Sequence, residues 1–154
     1  MNVDLRPYFD ESASASFDFD VDADLDVIPG RVTGSCALSG VSGSVELTGQ
    51  ARYRLETVCA RCLRRVSRDE TAALHRYLTR EESGGYDEAY VQVESDLLDL
   101  DAFILEEVVL ALPAVILCKP DCKGLCPVCG KDRNETACGC AAPGDPRWDA
   151  LDGI

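Results

Sequence analysis

The stretch Val45-Glu-Leu-Thr-Gly-Gln-Ala-Arg-Tyr-Arg-Leu-Glu-Thr-Val-Cys59-Ala-Arg-Cys62 joins the two halves of the chain. Val45, Leu47, Ala51, Tyr53 and Leu55 share one parity. Glu46, Thr48, Gln50, Arg52, Arg54 and Glu56 share the other. A strict period of two means a long strand with one buried and one wet face. Gly49 sits on the inner parity and predicts a bulge or bend. The strand then runs into two cysteines two residues apart, the spacing at which one metal ion collects two thiolates.

Upstream, Phe17-Asp-Phe-Asp-Val-Asp-Ala-Asp-Leu-Asp-Val27 alternates in the same way, with Asp at every outer position. This predicts a strand whose acidic face is solvated and blocks edge pairing. Pro29-Gly30 predicts a turn, Arg31 to Leu38 a further strand, and Gly40-Val-Ser-Gly43 a hairpin turn. Residues 2–9 read as an N-terminal strand or extended lead-in, because Pro7 disfavours a helical Arg6, and Asp10 to Ser16 as a loop. Cys36, alone on its strand, reads as a small buried hydrophobe.

Downstream, Thr71 to Leu78 reads as a strand returning from the cysteine hairpin, Glu81 to Glu88 as an acidic loop, and Tyr90 to Glu94 as a short strand. Leu100 to Leu112 reads as a helix capped by Asp96 or Asp99 and stopped by Pro113. It is apolar on most faces and so should be well buried, with Glu106 and Glu107 as a thin polar edge. The expected class is α+β: a curled antiparallel sheet or partial barrel, one buried helix, and a C-terminal zinc-ribbon-like module. The expected domains are residues 1–117, β-rich, and residues 118–154, a cysteine-rich module with a tail packed on the first. In that tail Trp148 and Leu151 are the candidate docking residues.

Six of nine cysteines fall between Cys118 and Cys140. Cys126-Pro-Val-Cys129-Gly130 has the form of a zinc knuckle, with a glycine to complete the tight turn. Cys138 and Cys140 would close a four-sulfur shell around it. Cys59, Cys62, Cys118 and Cys122 are then the candidate second site; a single site with thiols to spare remains the alternative. The competing reading is a disulfide cluster, which needs an oxidising compartment. Met1-Asn-Val-Asp-Leu-Arg carries no basic stretch followed by an apolar one, so no secretory leader is expected. The expectation is a soluble, cytoplasmic protein with reduced thiols and one or two structural Zn2+ ions.

The formal charge is −13, which disfavours non-specific nucleic-acid binding. The charge is unevenly spread. Residues 51–80 hold eight Arg and three acids, whereas residues 81–110 hold ten acids and no base. Arg52, Arg54, Arg61, Arg64, Arg65 and Arg68 are therefore the candidate contacts to RNA or a partner. The same charges are expected to lower the pKa of the neighbouring thiols. A solvated face paired with acids is the competing reading. His75, the sole histidine, is expected to be a packed or exposed residue and no metal ligand. No nucleophile–base pair or phosphate-binding Gly loop is visible, so no enzyme activity is expected.

Four features in this order resemble the YceD family, the large ribosomal RNA accumulation proteins. They are Cys59-Ala-Arg-Cys62-Leu63, the acidic helix ending in Ala-Leu-Pro113, the run Cys122-Lys-Gly-Leu-Cys126-Pro-Val-Cys129-Gly, and Asp145-Pro-Arg147. The resemblance implies a non-enzymatic role in ribosome biogenesis, supporting accumulation or processing of large-subunit ribosomal RNA. The implied partners are that RNA or its precursor particles, or a basic ribosomal protein, with no membrane and no small-molecule substrate. A thiol-redox or metal-responsive regulator is the alternative function.

Overall fold

A computed structural model of the chain describes residues 1–81 and 89–140. The elements run β1 (Asn2–Asp4), α1 (Arg6–Glu11), β2 (Ser14–Leu25), β3 (Ile28–Val41), β4 (Ser44–Val58), β5 (Arg65–Thr79), β6 (Tyr90–Gln92), β7 (Leu97–Asp99) and α2 (Leu100–Leu110). The chain divides into two compact units. One is Met1–Thr57 with Ser67–Ala114; the other is Val58–Val66 with the chain from Val115 on. The Cys59–Cys62 tip thus groups with the later cysteines.

In the first unit the main sheet has the order β2-β3-β4-β5-β6, and β1 pairs with β7 in a separate antiparallel ribbon. Among the described residues the sheet is open, with β2 and β6 as its edges. It is not wholly antiparallel, because β6 runs parallel to β5, with Tyr77 opposite Tyr90 and Thr79 opposite Gln92. At three residues, shorter than the expected Tyr90–Glu94 strand, β6 is a stub that blunts the edge.

The β2–β3 hairpin turns at Asp26-Val27, with Leu25 opposite Ile28. The turn expected at Pro29-Gly30 is instead the start of β3, with Pro29 opposite Asp24. Pro29 precedes the β3–β4 pairing, which begins at Thr33 opposite Arg52, so its missing N–H breaks no ladder on that side. That pairing runs without a slip to Val41 opposite Ser44. The bulge expected at Gly49 is absent. Gly49 instead permits close approach: a Cβ there would stand 2.4 Å from the Ser35 carbonyl oxygen and 2.8 Å from Cys36 Cα.

The inner face is as the alternation predicts. Leu38, Val45, Leu47, Ala51 and Leu55 are fully buried. Cys36 is buried as well, and burial pushes its thiol up to about 11, as befits a residue acting as a hydrophobe. Of the N-terminal strand or lead-in expected over residues 2–9, Asn2–Asp4 is the strand β1, and only the part that follows differs. Arg6–Glu11 is a helix, because a proline in the first turn removes only an N–H that has no helical partner. The expected Asp10–Ser16 loop is correspondingly cut to its middle, since β2 already begins at Ser14.

Asp99 caps α2 by accepting the Ala102 N–H at 3.4 Å. Leu100, Phe103, Ile104 and Val108 are buried, but Val109 and Leu110 are 43% and 65% exposed. The helix therefore buries one face, not most faces, and ends two residues earlier than expected. Glu107 is no polar edge. It is buried, and Arg76 on the inner side of β5 donates its Nε to Glu107 Oε1 at 3.0 Å. No described helix is long and apolar enough to cross a membrane. Most of the Glu81–Glu88 loop, and the tail with Trp148 and Leu151, lie outside the described residues.

Candidate metal centres

All eight candidate thiols assemble, in two groups of four within the second unit. Cys59, Cys62, Cys118 and Cys122 bring their sulfurs within 4.8 Å of one another, and so do Cys126, Cys129, Cys138 and Cys140. In the first group Cys59 Sγ lies 3.7 Å from Cys122 Sγ, and Cys62 Sγ lies 3.6 Å from Cys118 Sγ. A disulfide would need about 2.0 Å. A tetrahedron with metal–sulfur bonds of about 2.3 Å has sulfur–sulfur edges of about 3.8 Å. The residues therefore fit a four-thiolate metal site.

Local backbone geometry explains the fit. In the first knuckle the Leu63 N–H donates to the Cys59 carbonyl at 3.0 Å, and the Cys59 N–H to the Arg64 carbonyl at 2.8 Å. In the second, the Gly130 N–H donates to the Cys126 carbonyl at 2.9 Å, and the Cys126 N–H to the Lys131 carbonyl at 2.8 Å. The two turns are thus the same device used twice. The first tip is held to the later segment by Ala60 N–H on the Ile116 carbonyl (2.9 Å) and Leu125 N–H on the Arg61 carbonyl (3.1 Å). Ile116, Leu117, Leu125 and Val66 pack around its sulfurs. The second group is more open. Cys129 and Cys140 are exposed, and a cavity of about 190 Å³ is lined by Cys126, Val128, Arg133, Cys138 and Cys140.

Burial raises the Cys59 thiol, but the backbone N–H groups of Cys118, Arg61 and Cys62 outweigh it and hold the thiol down to about 6. The N–H groups of Cys129 and Val128 hold Cys126 down to about 6. Burial pushes Cys118 up to about 12, and the Cys129 thiol followed by burial pushes Cys140 up to about 12. Each group thus has a sulfur that ionises readily beside one that does not. A dication removes that conflict and lets all four ionise together. The arginines were expected to lower these pKa values; the leading causes of the lowering are backbone N–H groups instead.

The sequence reading missed Asn134 and Asp132. Asn134 Nδ2 donates to Cys122 Sγ at 3.5 Å and to Asp132 Oδ1 at 2.7 Å, while Asn134 Oδ1 accepts the Lys123 N–H at 2.9 Å. Against burial, the Gly124 N–H and Asn134 lower the Cys122 thiol. The available signal was an Asp-x-Asn turn between the second knuckle and Cys138.

The six candidate arginines are all exposed, but they are not equivalent. Arg54 pairs with Asp69 at 2.9 Å, and Arg68 with Glu70. Arg64 reaches Asp132 (3.2 Å) and Glu135 (2.7 Å), and Arg61 donates to the Cys122 carbonyl at 2.8 Å. Arg52 lines a cavity of about 730 Å³ with Asp18, Asp20 and Gln50. Arg61 and Arg65 meet no carboxylate among the described residues. Arg52, Arg54 and Arg68 belong to the first unit and Arg61, Arg64 and Arg65 to the second. His75 lies on β5, its Nε2 3.2 Å from Glu46 Oε1 and its ring against Tyr77, and it belongs to neither sulfur group.

The family described as "Large ribosomal RNA subunit accumulation protein YceD" matches residues 47–154, a span that takes in both cysteine groups. The chain belongs to the YceD family. Curated proteins from Mycobacterium tuberculosis and Mycobacterium bovis, each described only as uncharacterized, are 32% identical to it over 124 residues. The matched region covers 74% of this YceD-family chain and 57% of each relative. The chain thus spans little more than half the length of these relatives. No solved structure matches it.

Proposed function

We propose that this chain is a non-enzymatic factor in ribosome biogenesis that supports accumulation of large-subunit ribosomal RNA. Its second unit is a zinc-ribbon-like module with two structural Zn2+ ions. The family match across both cysteine groups carries the reading. Soft thiolates in tetrahedral array favour zinc among the common divalent ions. Four sulfurs around one ion leave no open position for water or substrate, which supports a structural role over a catalytic one. The partner is the ribosomal RNA or its precursor particle, in the cytoplasm, and the arginines with unpaired charge are its phosphate contacts. A basic ribosomal protein bound to the acidic remainder is the alternative partner.

The test is salt-dependent co-sedimentation of purified zinc-loaded protein with large-subunit precursor particles. The reading expects association at low salt that weakens as salt rises. Protein that stays wholly in the supernatant at low salt overturns it. A thiol-redox regulator draws support from the depressed Cys59 and Cys126 thiols. That reading fails if zinc is tightly held and the thiols resist oxidation.

A further inference from the structure

The two knuckles share their hydrogen bonds, and among their sequence differences one falls on the residue that closes the turn. The residue after the second cysteine is left-handed in both: φ is +69° at Gly130 and +60° at Leu63. Glycine takes that conformation freely, whereas a leucine is sterically penalised there. Packing does not compensate Leu63, whose side chain is 63% exposed. A strained, solvent-facing leucine replaces the residue that the turn prefers, and strain of this kind gathers at contact sites. Its sequence neighbours are Arg61, Arg64 and Arg65. Arg64 is neutralised by Asp132 and Glu135. Arg61 and Arg65 have no carboxylate partner among the described residues.

We infer that Leu63 is an apolar wedge that packs on an unpaired base of RNA, while Arg61 and Arg65 take the flanking phosphates. The inference rests on the ribosomal RNA reading above and adds the contact residue and the strand state. Charge complementarity favours RNA over a protein partner. An apolar anchor for protein is ordinarily ringed by further apolar contacts, whereas this one is flanked at Arg61 and Arg65 by guanidiniums with no carboxylate partner among the described residues, suited to phosphate. Unpaired bases offer the open faces that a paired helix hides.

The test compares wild type, Leu63→Gly and Arg65→Gln as full-length zinc-loaded proteins. The probes are a large-subunit ribosomal RNA transcript, a single-stranded RNA fragment of it and the same fragment annealed to its complement. Leu63→Gly relaxes the backbone, so metal content and Tm should equal or exceed wild type. Its affinity for the transcript and single strand should fall about five- to tenfold, roughly one lost apolar contact, with the salt slope unchanged. Arg65→Gln should reduce that slope by about 1.

Wild-type binding with an indifferent Leu63→Gly overturns the inference alone. An equal loss on the annealed probe overturns the unpaired-base assignment. A loss confined to capture of a ribosomal protein overturns the choice of RNA. Failure of wild type to bind any of the three probes counts against the functional reading itself.

Discussion

The sulfurs of Cys59 and Cys122 stand 3.7 Å apart although 63 positions separate them in the chain. Replacing Cys122 with Ser should lower the metal content by one ion per chain and leave the Cys126–Cys140 group loaded. Elemental analysis of reduced protein checks this. Loss of both ions together would mean that the two groups are not independent.

Asn134 orients the same sulfur, so Asn134→Ala should weaken the first site without emptying it. Outer partners of metal ligands are typically worth roughly ten- to a hundredfold in affinity. Competition with a chromophoric chelator should show one ion released earlier than in wild type.

The thiols predict a pH profile for metal-free, reduced protein. Folded Cys59 and Cys126 lie near 6, below the ordinary thiol value of 9.0. The stability these groups lend is therefore fully present above 9 and is lost as pH falls through about 6. Alkylation rates of these two cysteines should show midpoints near 6, whereas Cys118 and Cys140 react only in strong base.

Glu107 and Arg76 make a buried pair in the first unit. Glu107→Ala should cost about 3 kcal/mol, toward the low end for a broken buried pair because Arg76 is partly exposed. Replacing both partners with apolar residues should recover most of the loss. A double-mutant cycle by urea unfolding reads out the coupling.

Gly49→Ala should destabilise the sheet by about 2 kcal/mol or more, since the added carbon meets backbone on β3 and no flexible side chain. Leu63→Gly should instead stabilise by about 1 kcal/mol by relieving the left-handed strain. Thermal melts of the two variants should move in opposite directions.

Alternation made the inner face of β4 readable, because a period of two leaves little freedom once one face is buried. Cysteine spacing likewise made both sulfur groups readable, including which cysteines come together. Features set by pairing partners were not readable. Pro29-Gly30 looks like a turn until the register shows that Asp26-Val27 already makes one. Glu107 looks like a wet edge until Arg76 is found on the strand beneath it. The identity of Leu63 gave no hint of its left-handed backbone, because leucine is an unfavourable choice there.

The wide separation of the first group has a consequence for synthesis. Its two halves lie on either side of β5, β6, β7 and α2, so it cannot close until Cys122 has left the ribosome. The Cys126–Cys140 group draws on one short local segment and can load as soon as it emerges. Its loop closure costs roughly 1.5 kcal/mol less. The nascent chain therefore carries an incomplete half-site at Cys59 and Cys62 while the 60 residues up to Cys122 are made, and the Cys118–Cys122 segment acts as the clasp.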